Sequence, residues 1–276
     1  MSTLLTLLSV LVIAGLGAFL YARFIEPRML IVENVTIASE NVADAADGLR
    51  IVQISDVHVS DDDHKTKLSD LAKMINSQEA DLLIFTGDMF DNFAAYEGDT
   101  TAVKQAFADM QAKYGKYAVL GNHDYERGAR PSTIKILEEA GFRVLLGERE
   151  TLGELGITIT GYDDALYGTL PESVDLTGAQ GFHLVLCHEP DVADRIDAEL
   201  YDLMLSGHTH GGQVNLPFVE ALYLPKMGRS YLKGVHHPGG ENARGVLYVN
   251  RGIGESLLPI RFGATPEVTV ITLERK

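Results

Sequence analysis

Beyond its N-terminal segment, the chain alternates between short apolar stretches and amphipathic ones, and this alternation constrains the fold more than any other feature. Residues 49–55, 81–87 and 116–121 are apolar runs of strand length, typical of buried β-strands. Residues 65–77 and 101–114 lie between them and carry apolar side chains at helical spacing. The pattern predicts a β-α-β-α-β run, as in a layered α/β domain.

The rest of the chain is richer in strands than in helices. A helix is predicted over residues 131–141, which begin with Pro131 and end with Gly141. Strands are predicted over 29–38, 142–146, 157–162, 182–189, 202–208, 244–252 and 267–274, and one further helix over 191–199. With 276 residues, 46% of them hydrophobic, the chain can bury one sizeable core. We therefore expect one main α/β domain whose strands belong to two sheets.

The first 22 residues, Met1 to Ala22, contain no charged side chain. A helix needs roughly 20 apolar residues to cross a bilayer, so this segment predicts a membrane-spanning helix. No basic residue precedes it and no A-x-A cleavage site follows, which favours a retained anchor over a cleaved signal peptide. Because Arg23 and Arg28 follow the segment, the positive-inside rule favours a cytoplasmic domain. We expect an anchor over 1–22, a linker and first strand over 23–48, and a folded domain over 49–276.

Charge and cysteine content exclude some classes of protein. The formal net charge of −16 argues against general nucleic-acid binding, because phosphate backbones are held by clustered Lys and Arg. A single cysteine, Cys187, excludes an internal disulfide framework and a Cys-rich zinc site. Because Cys187 precedes His188 on a predicted strand, its side chain is expected to point to the opposite face, into the core.

Polar motifs follow the ends of five predicted strands. They are SDVH at 55–58, GDMFD at 87–91, GNHD at 121–124, His188, and GHTH at 207–210. If extended geometry continues past the strands, Asp56 and His58 emerge on one side, as do His208 and His210. Oxygen and nitrogen donors without a thiolate suit Mn, Fe, Co or Zn better than a structural cysteine-based zinc site.

Each motif alone also has a structural interpretation. A lone buried histidine is usually a satisfied core residue, the glycine before Asp88 can simply end a strand, and residues 122–124 can form an ordinary polar turn. Five of the nine histidines nevertheless fall at these strand ends. The combination favours a shared metal site.

In this order, the five motifs resemble those of the calcineurin-like metallophosphoesterases, and the resemblance runs from about Leu49 to the C-terminus. The stretches LSGHTHGGQVNLP (205–217) and NRGIGESLLPIRFGATPEVTVITL (250–273) resemble the membrane-anchored bacterial branch more specifically. The resemblance implies a four-layer αββα sandwich of two mixed sheets with two metal ions at the sheet edges.

The resemblance also implies a role for each motif residue. It implies seven metal ligands: Asp56, His58, Asp88 and His210 for one ion, and Asn122, His188 and His208, with Asp88 as the bridge, for the other. His123 would stabilise or protonate the leaving oxygen, oriented by Asp91, and Asp124 would support the loop. Two-metal sites of this kind, with ions about 3.5 to 4 Å apart, clamp phosphoryl oxygens and supply the attacking hydroxide. The two divalent ions could be Mn, Fe, Zn, Co or Mg.

The prediction is therefore a membrane-anchored, two-metal hydrolase of a phosphodiester or phosphoanhydride. The branch that the chain resembles includes enzymes that hydrolyse the pyrophosphate of UDP-2,3-diacylglucosamine in lipid A synthesis, so a lipid-linked substrate is one interpretation. A broad phosphodiesterase acting on small molecules is an alternative. A non-catalytic scaffold with the same fold is an alternative of another class.

The segment over residues 216–234 leaves two interpretations open. It joins an apolar run to Lys226, Arg229 and Lys233. Such a segment could rest on lipid headgroups or hold an acyl chain, or it could be a packed connection with basic residues at its edge.

Overall fold

Two six-stranded sheets form the centre of the molecule. The computed structural model describes residues 2–61, 68–170, 176–216, 221 and 224–276. The first sheet has the order β1 (Ile31–Ser39), β12 (Glu267–Arg275), β2 (Arg50–Ile54), β3 (Leu82–Phe85), β4 (Lys116–Ala118), β5 (Phe142–Val144). The second has the order β10 (Gly234–His236), β11 (Val246–Val249), β9 (Leu203–Ser206), β8 (Phe182–Leu186), β7 (Ile157–Gly161), β6 (Glu148–Leu152).

Both sheets are mixed, as the sequence predicts. Strands β2, β3, β4 and β5 are parallel to one another, and β12 is antiparallel to β2. In the second sheet β7, β8, β9 and β11 are parallel, and the edge strands β6 and β10 are antiparallel to their neighbours. The carboxyl ends of parallel strands therefore lie at one edge of each sheet, where ligands bind in open α/β sheets.

The apolar runs are buried on both of their faces, which is why they are continuous rather than alternating. On β3, Leu83 and Phe85 pack in a cluster with α2 (Leu68–Asn76), α3 (Thr100–Asp109) and α4 (Arg130–Glu139). Leu82 and Ile84 belong to a second cluster between the two sheets. The three helices thus cover one face of the first sheet, and the second sheet covers the other.

The predicted helix over 191–199 is wrong. The described residues there form two short 3-10 helices, Pro190–Arg195 and Ala198–Leu200, which cover the outer face of the second sheet. Ile196 and Asp197 between them have extended backbone, and the Asp197 carboxylate accepts a hydrogen bond from the Glu199 amide at 3.0 Å. Such a local bond to the backbone competes with a continuous helix.

Two strands at the edges of the second sheet escaped prediction because neither contains an apolar run. Strand β6 has the sequence ERETL with no apolar alternation, and it pairs only with β7 among the described strands. Strand β10 has three residues and pairs with β11 at the other edge. An edge strand has a solvent-facing side, so its sequence carries little of the apolar signal that marks a buried strand.

The N-terminal segment forms helix α1 (Ser2–Phe24), which is long and apolar enough to cross a membrane. No residue of its most apolar stretch is buried inside the described structure. Strand β1 follows and pairs with β12, so residues 31–39 belong to the first sheet.

Candidate metal centre

All nine residues singled out in the sequence lie in loops at the carboxyl ends of parallel strands. Asp56 and His58 follow β2, Asp88 and Asp91 follow β3, and Asn122 and His123 follow β4. His188 follows β8, and His208 and His210 follow β9. The two sheets face each other, so these loops meet at one end of the sandwich.

The loops converge for a different reason than strand alternation. Extended geometry does not continue past the strands, because Asp56 (φ 48°), His58 (φ 45°) and Asp88 (φ 59°) have left-handed backbone. His208 (φ 70°) and His210 (φ 52°) do as well. Non-glycine residues rarely adopt this conformation, and its concentration in a structure is typical of functional sites.

Asp56, His58 and His210 form one cluster, with one donor atom of each residue within 4.8 Å of the others. Asp56 Oδ1 lies 3.5 Å from Nε2 of His210 and 3.9 Å from Nε2 of His58. The Asp56 carboxylate also accepts hydrogen bonds from the His208 amide at 3.0 and 3.1 Å. All three side chains are buried.

Asp88, His188 and His208 form a second cluster within the same distance limit. Asp88 Oδ2 lies 3.2 Å from Nε2 of His188 and 3.5 Å from Nε2 of His58, so this carboxylate stands between the two clusters. Within the described part of the chain, Oδ1 of Asn122 is buried and has no hydrogen-bond partner. These two clusters contain six of the seven ligands that the resemblance implies, and a third cluster of His58, Asp88 and His123 includes a residue to which the resemblance gives another role.

Three of the histidines are oriented by backbone carbonyls. Nδ1 of His188 lies 2.6 Å from the carbonyl oxygen of Thr86, and Nε2 of His208 lies 2.8 Å from that of Lys226. Nδ1 of His210 lies 3.2 Å from the carbonyl oxygen of Gly254. A carbonyl can only accept, so the nitrogen that faces it carries the proton in His188 and His208, and the other nitrogen of each of these two rings can bind a cation. This is the arrangement usual for metal-binding histidines, and the donor set fits two divalent ions.

Asp91 contacts two histidines through different groups. Its backbone carbonyl accepts from Nδ1 of His123 at 2.7 Å, and its carboxylate Oδ1 lies 3.4 Å from Nδ1 of His58. Nε2 of His123 lies 3.5 Å from the hydroxyl of Ser256. The backbone of Asp91 therefore orients His123, while its side chain is placed to orient His58.

Asp124 holds the loops together, as its position in the sequence suggested. Its buried carboxylate accepts hydrogen bonds from the amides of Asp88 at 2.8 Å, Met89 at 3.0 Å and Gly121 at 2.9 Å. A Cβ on Gly121 would overlap the side chains of Asp88 and His188. Only glycine fits there, so the glycine of the GNHD motif serves close packing around the clusters.

The pKa shifts of four site residues suit cation binding, whereas nearby carboxylates raise the pKa of His58 and of His188. Burial alone would raise the pKa of Asp56 and Asp88, but neighbouring histidines outweigh it and hold both pKa values below the usual range. Burial lowers the pKa of His208 to about 4 and that of His210 well below its usual value, so both rings are neutral. Burial also lowers the pKa of His58, but its contacts with three carboxylates raise it to about 10. A cation between those carboxylates would displace that proton.

Sequence reasoning missed Arg261. Its fully buried guanidinium donates through Nη1 to the carbonyls of Arg251 at 2.9 Å and Ala264 at 2.7 Å. Through Nη2 it donates to the carbonyl of Gly254, and it lies 3.4 Å from Nδ1 of His210. Arg261 lies in the 250–273 stretch that resembles the membrane-anchored branch, but that resemblance gave no role to the arginine.

A cavity of about 640 Å³ opens onto the two clusters. Asp88, Asn122, His123, His208 and His210 line its floor. About half of its remaining lining is apolar, namely Leu166, Tyr167, Val214, Pro225, Leu257, Leu258 and Ile260, and the rest is mainly polar or charged and includes Glu126 and Lys226. The site can therefore accommodate a ligand with an anionic group at the clusters and an apolar group beside it.

Two other expectations from the sequence can be compared with the structure. Cys187 is buried in the apolar cluster on the outer face of the second sheet, as predicted. Residues 217–220, 222 and 223 of the 216–234 segment lie outside the described residues. In the described part, the carbonyl of Lys226 contacts His208, that of Leu232 accepts from the Thr209 hydroxyl, and Lys233 donates to Gly263. These contacts favour the packed connection.

The fold and the two clusters define a metallophosphoesterase, and comparison with known proteins agrees. The family described as calcineurin-like phosphoesterase matches residues 49–212. The chain therefore belongs to the calcineurin-like phosphoesterase family, and the prediction of a metal-dependent phosphoester hydrolase is confirmed at the level of enzyme class.

Among individual relatives, the chain is 36% identical to the metallophosphoesterase YkuE of Bacillus subtilis, over 94% of this chain and 90% of YkuE. It is 28% identical to the phosphodiesterase YaeI of Escherichia coli, over 95% and 94% of the two chains. It is 26% identical to the UDP-2,3-diacylglucosamine pyrophosphatase LpxG of Chlamydia muridarum, over 96% and 95%.

Proposed function

We propose that the protein is a two-metal hydrolase of a phosphodiester or phosphoanhydride. Asp56, His58 and His210 would hold one ion, His188, His208 and Asn122 the other, and Asp88 both. The observation that carries this proposal is the pair of clusters with the Asp88 carboxylate between them. In His188, His208 and His210, one ring nitrogen lies within hydrogen-bond distance of a backbone carbonyl oxygen. Divalent ions bound there would neutralise the phosphoryl oxygens and activate a water molecule for attack.

In this proposal His123 would act as the general acid. Because its Nδ1 donates to the carbonyl of Asp91, its Nε2 carries a proton only when the ring is an imidazolium. That proton can pass to the leaving oxygen, and the neutral ring that remains keeps the same hydrogen bond to Asp91. The role requires no movement of the ring during the reaction.

The apolar residues of the cavity lining support a lipid-linked substrate. A phosphate or pyrophosphate would lie at the clusters, beside Lys226, while Leu166, Leu257 and Ile260 offer surface to an acyl group. UDP-2,3-diacylglucosamine, the compound in the name of LpxG, has this combination of groups. A broad phosphodiesterase of small molecules is the second candidate, because YaeI bears that description.

We also propose that α1 anchors the protein in the cell membrane. The helix contains 23 residues, and most of its side chains are exposed and apolar. The full-length protein should stay in the membrane fraction through washes with high salt and alkaline carbonate, as expected of a spanning helix. Recovery of a soluble chain lacking residues 1–22 would contradict the proposal.

The decisive experiment is a substrate panel run on the full-length protein. The protein is stripped with a chelator, reloaded separately with Mn²⁺, Mg²⁺ and Zn²⁺, and given UDP-diacylglucosamine, nucleotide diphospho-sugars, bis-p-nitrophenyl phosphate and p-nitrophenyl phosphate. We expect metal-dependent hydrolysis with preference for the lipid-linked pyrophosphate. Faster hydrolysis of bis-p-nitrophenyl phosphate would favour the broad phosphodiesterase, and no hydrolysis by metal-loaded protein would favour a scaffold.

A further inference from the structure

We propose that Leu257 and Leu258, called here the lip, insert into the same bilayer leaflet in which α1 ends, so that the metal centre opens at the lipid surface. The proposal rests on the membrane anchoring proposed above. It adds an interaction surface that does not depend on which phosphoester is cleaved.

The lip exposes two adjacent large apolar side chains. Leu257 is 73% exposed and Leu258 is 59% exposed. Leu257 also has left-handed backbone (φ 63°), a rare conformation for a leucine. A soluble surface gains nothing from two leucines presented in this way, whereas the interface of a bilayer favours them.

Hydrogen bonds hold the lip in this outward arrangement. The side-chain amide of Gln213 donates to the carbonyls of Ser256 at 2.9 Å and Leu258 at 2.8 Å, and its oxygen accepts from the amide of Ser256 at 3.0 Å. One glutamine therefore fixes the backbone on both sides of Leu257. The exposure is a property of an ordered loop.

The end of α1 is joined directly to the residues that follow the lip. The Arg261 amide donates to the carbonyl of Ala22 at 2.9 Å. The buried carboxylate of Glu26 accepts from the amides of Gly263 at 3.0 Å and Ala264 at 2.7 Å. The rings of Tyr21 and Phe262 also meet edge to face, 6.0 Å apart. The domain is thus docked on the anchor and has a set orientation to it.

This docking places the lip near the membrane surface. A 23-residue helix is about 35 Å long, slightly more than the roughly 30 Å of hydrocarbon that it must cross. Its last turn therefore lies at the interface, where Tyr21 is a typical residue. Leu258 is three residues from Arg261, so it lies within about 11 Å of that contact. Phe24 and Ile25, at the end of α1, are also exposed, by 48% and 51%.

The lip belongs to the same cavity as the metal clusters. Leu257 and Leu258 line it together with His123 and His210, and Gln213 follows His210 by three residues. A lipid-linked substrate could then bring its phosphate to the clusters while its acyl chains stay in the leaflet. A second copy of the chain or another protein could also cover the lip, and the experiment separates these cases.

The test measures the surroundings of the lip directly. Cys187 is the single cysteine of the chain and is fully buried, so a cysteine introduced at position 257 can be labelled selectively with a small fluorophore. Full-length Leu257→Cys is reconstituted in lipid nanodiscs. Quenching by lipids with a nitroxide near the headgroup is compared with quenching by iodide in the water.

The matched control is Lys135→Cys on α4. Its side chain is 74% exposed, close to the value for Leu257. Helix α4 packs near β5, at the edge of the first sheet opposite to β1. We expect the label at 257 to be quenched several-fold more by nitroxide lipids than the label at 135, and the order to reverse with iodide. Leu258→Cys should behave as Leu257→Cys and guards against a local effect of one substitution.

Two outcomes would overturn the proposal. Strong quenching by iodide and none by lipid would show that the lip stays in water. Protection from both quenchers would show that a protein surface covers it. The quenching measurement needs no substrate. Its result can therefore support the membrane insertion of the lip even if the substrate panel shows no hydrolysis, and it can contradict that insertion even if hydrolysis is found.

Discussion

At the scale of single residues, the site depends on backbone conformations that its own side chains do not favour. Left-handed backbone at non-glycine residues costs of the order of 1–3 kcal/mol each. At Asp56 and His58 the cost is offset by hydrogen bonds from their amides to the carbonyls of Gly87 at 2.9 Å and Asp88 at 3.1 Å. The loops after β2 and β3 therefore hold each other in place, which fixes the backbone that carries the donor atoms.

The bridging role of Asp88 and the acid role of His123 can be separated by substitution. Asp88→Asn removes a charge that lies near both clusters, so both metal content and rate should fall.

His123→Ala should keep its metals, because the hydrogen bond to Asp88 Oδ1 comes from the backbone amide of His123, at 2.8 Å, and the substitution retains that amide. It should lose roughly 10²- to 10⁴-fold in kcat, and less for good leaving groups such as p-nitrophenol. Elemental analysis and turnover on esters of graded leaving-group pKa measure both effects.

A competing explanation makes His123 a ligand. His58, Asp88 and His123 also form a cluster of possible metal ligands in the structure. If His123→Ala lost its metals as Asp88→Asn does, His123 would be a ligand. A rate defect that did not depend on the leaving group would equally rule out the acid role.

Asp91 should affect metal affinity more than acid catalysis. The sequence led us to expect that Asp91 orients His123, and the structure assigns that task to its carbonyl, which Asp91→Asn retains. The substitution removes only the carboxylate charge beside His58. Loss of such a partner typically lowers metal affinity or activity about 10- to 100-fold. Titration of the stripped variant with Mn²⁺ should show this change, with a leaving-group profile like that of the wild type. An unchanged Mn²⁺ affinity of Asp91→Asn, together with a leaving-group dependence like that of His123→Ala, would contradict this prediction.

At the scale of secondary-structure elements, a buried carboxylate joins the two sheets. Asp202, just before β9, accepts from Ser39 at 2.6 Å and Asn41 at 2.8 Å, at the end of β1. It also accepts from Arg244 at 2.5 Å and from the amide of His183 at 2.8 Å. These hydrogen bonds to Asp202 link β1 of the first sheet to β8 and β9 of the second, and these strands are not paired with β1 in the described sheets.

Removing the Asp202 charge should therefore destabilise the fold in a pH-dependent way. Burial alone would raise the pKa of Asp202, but its hydrogen bonds to Arg244, Ser39 and Asn41 lower it overall. Asp202→Asn should reduce the free energy of unfolding by about 2 kcal/mol. The pKa of Asp202 is lower in the folded protein than in the unfolded protein, where it is about 3.9. The stability difference between the wild type and Asp202→Asn is therefore complete at pH values above about 3.9, and it disappears as the pH falls through the pKa of the folded protein.

Urea unfolding of the wild type and of Asp202→Asn in detergent, across a pH series, measures the difference in their free energies of unfolding. The control is Asp70→Asn, because Asp70 forms an exposed pair with Lys73 at 3.0 Å. Such pairs contribute about 0–1 kcal/mol. Equal losses for the two variants, or a loss at Asp202 that persists at low pH, would show that its charge does not join the sheets.

At the scale of the whole molecule, the proposed membrane anchor would set the side of the membrane on which the domain works. Arg23 and Arg28 at the end of α1 favour the cytoplasm. Arg28 also donates to the carbonyl of Phe24 at 2.6 Å, so it satisfies the C-terminal end of the helix as well.

We expect the domain on the cytoplasmic side. Alkaline phosphatase fused to the C-terminus should then be inactive in a bacterial host, because that enzyme requires export to become active. A green fluorescent protein fusion at the same position should be fluorescent and serves as the control for expression. Strong phosphatase activity would place the domain outside the cytoplasm, where lipid substrates of the outer leaflet would become the relevant ones.

Part of this architecture is readable from local sequence. Apolar runs such as Leu82–Phe85 identify buried strands because a strand covered on both faces cannot alternate. The polar motifs after them identify the candidate site because parallel strands bring their carboxyl ends together. Strands β6 and β10 and the 3-10 helices over 190–200 were not predictable in this way, because edges and short turns depend on what packs beside them.

The sequence by itself determined the class of fold, the apolar N-terminal helix and the residues of the candidate metal centre, because periodicity and donor chemistry are local properties. Only the tertiary structure decided how those residues are used. It set the left-handed backbone at Asp56 and His208 and buried Arg261 beside His210. It also placed the carbonyl of Asp91 against His123 and the carboxylate of Asp91 near His58. It also joined Glu26 to Gly263, 237 residues along the chain. Contacts of this range depend on the packing of the two sheets and the anchor, which no local stretch of sequence encodes.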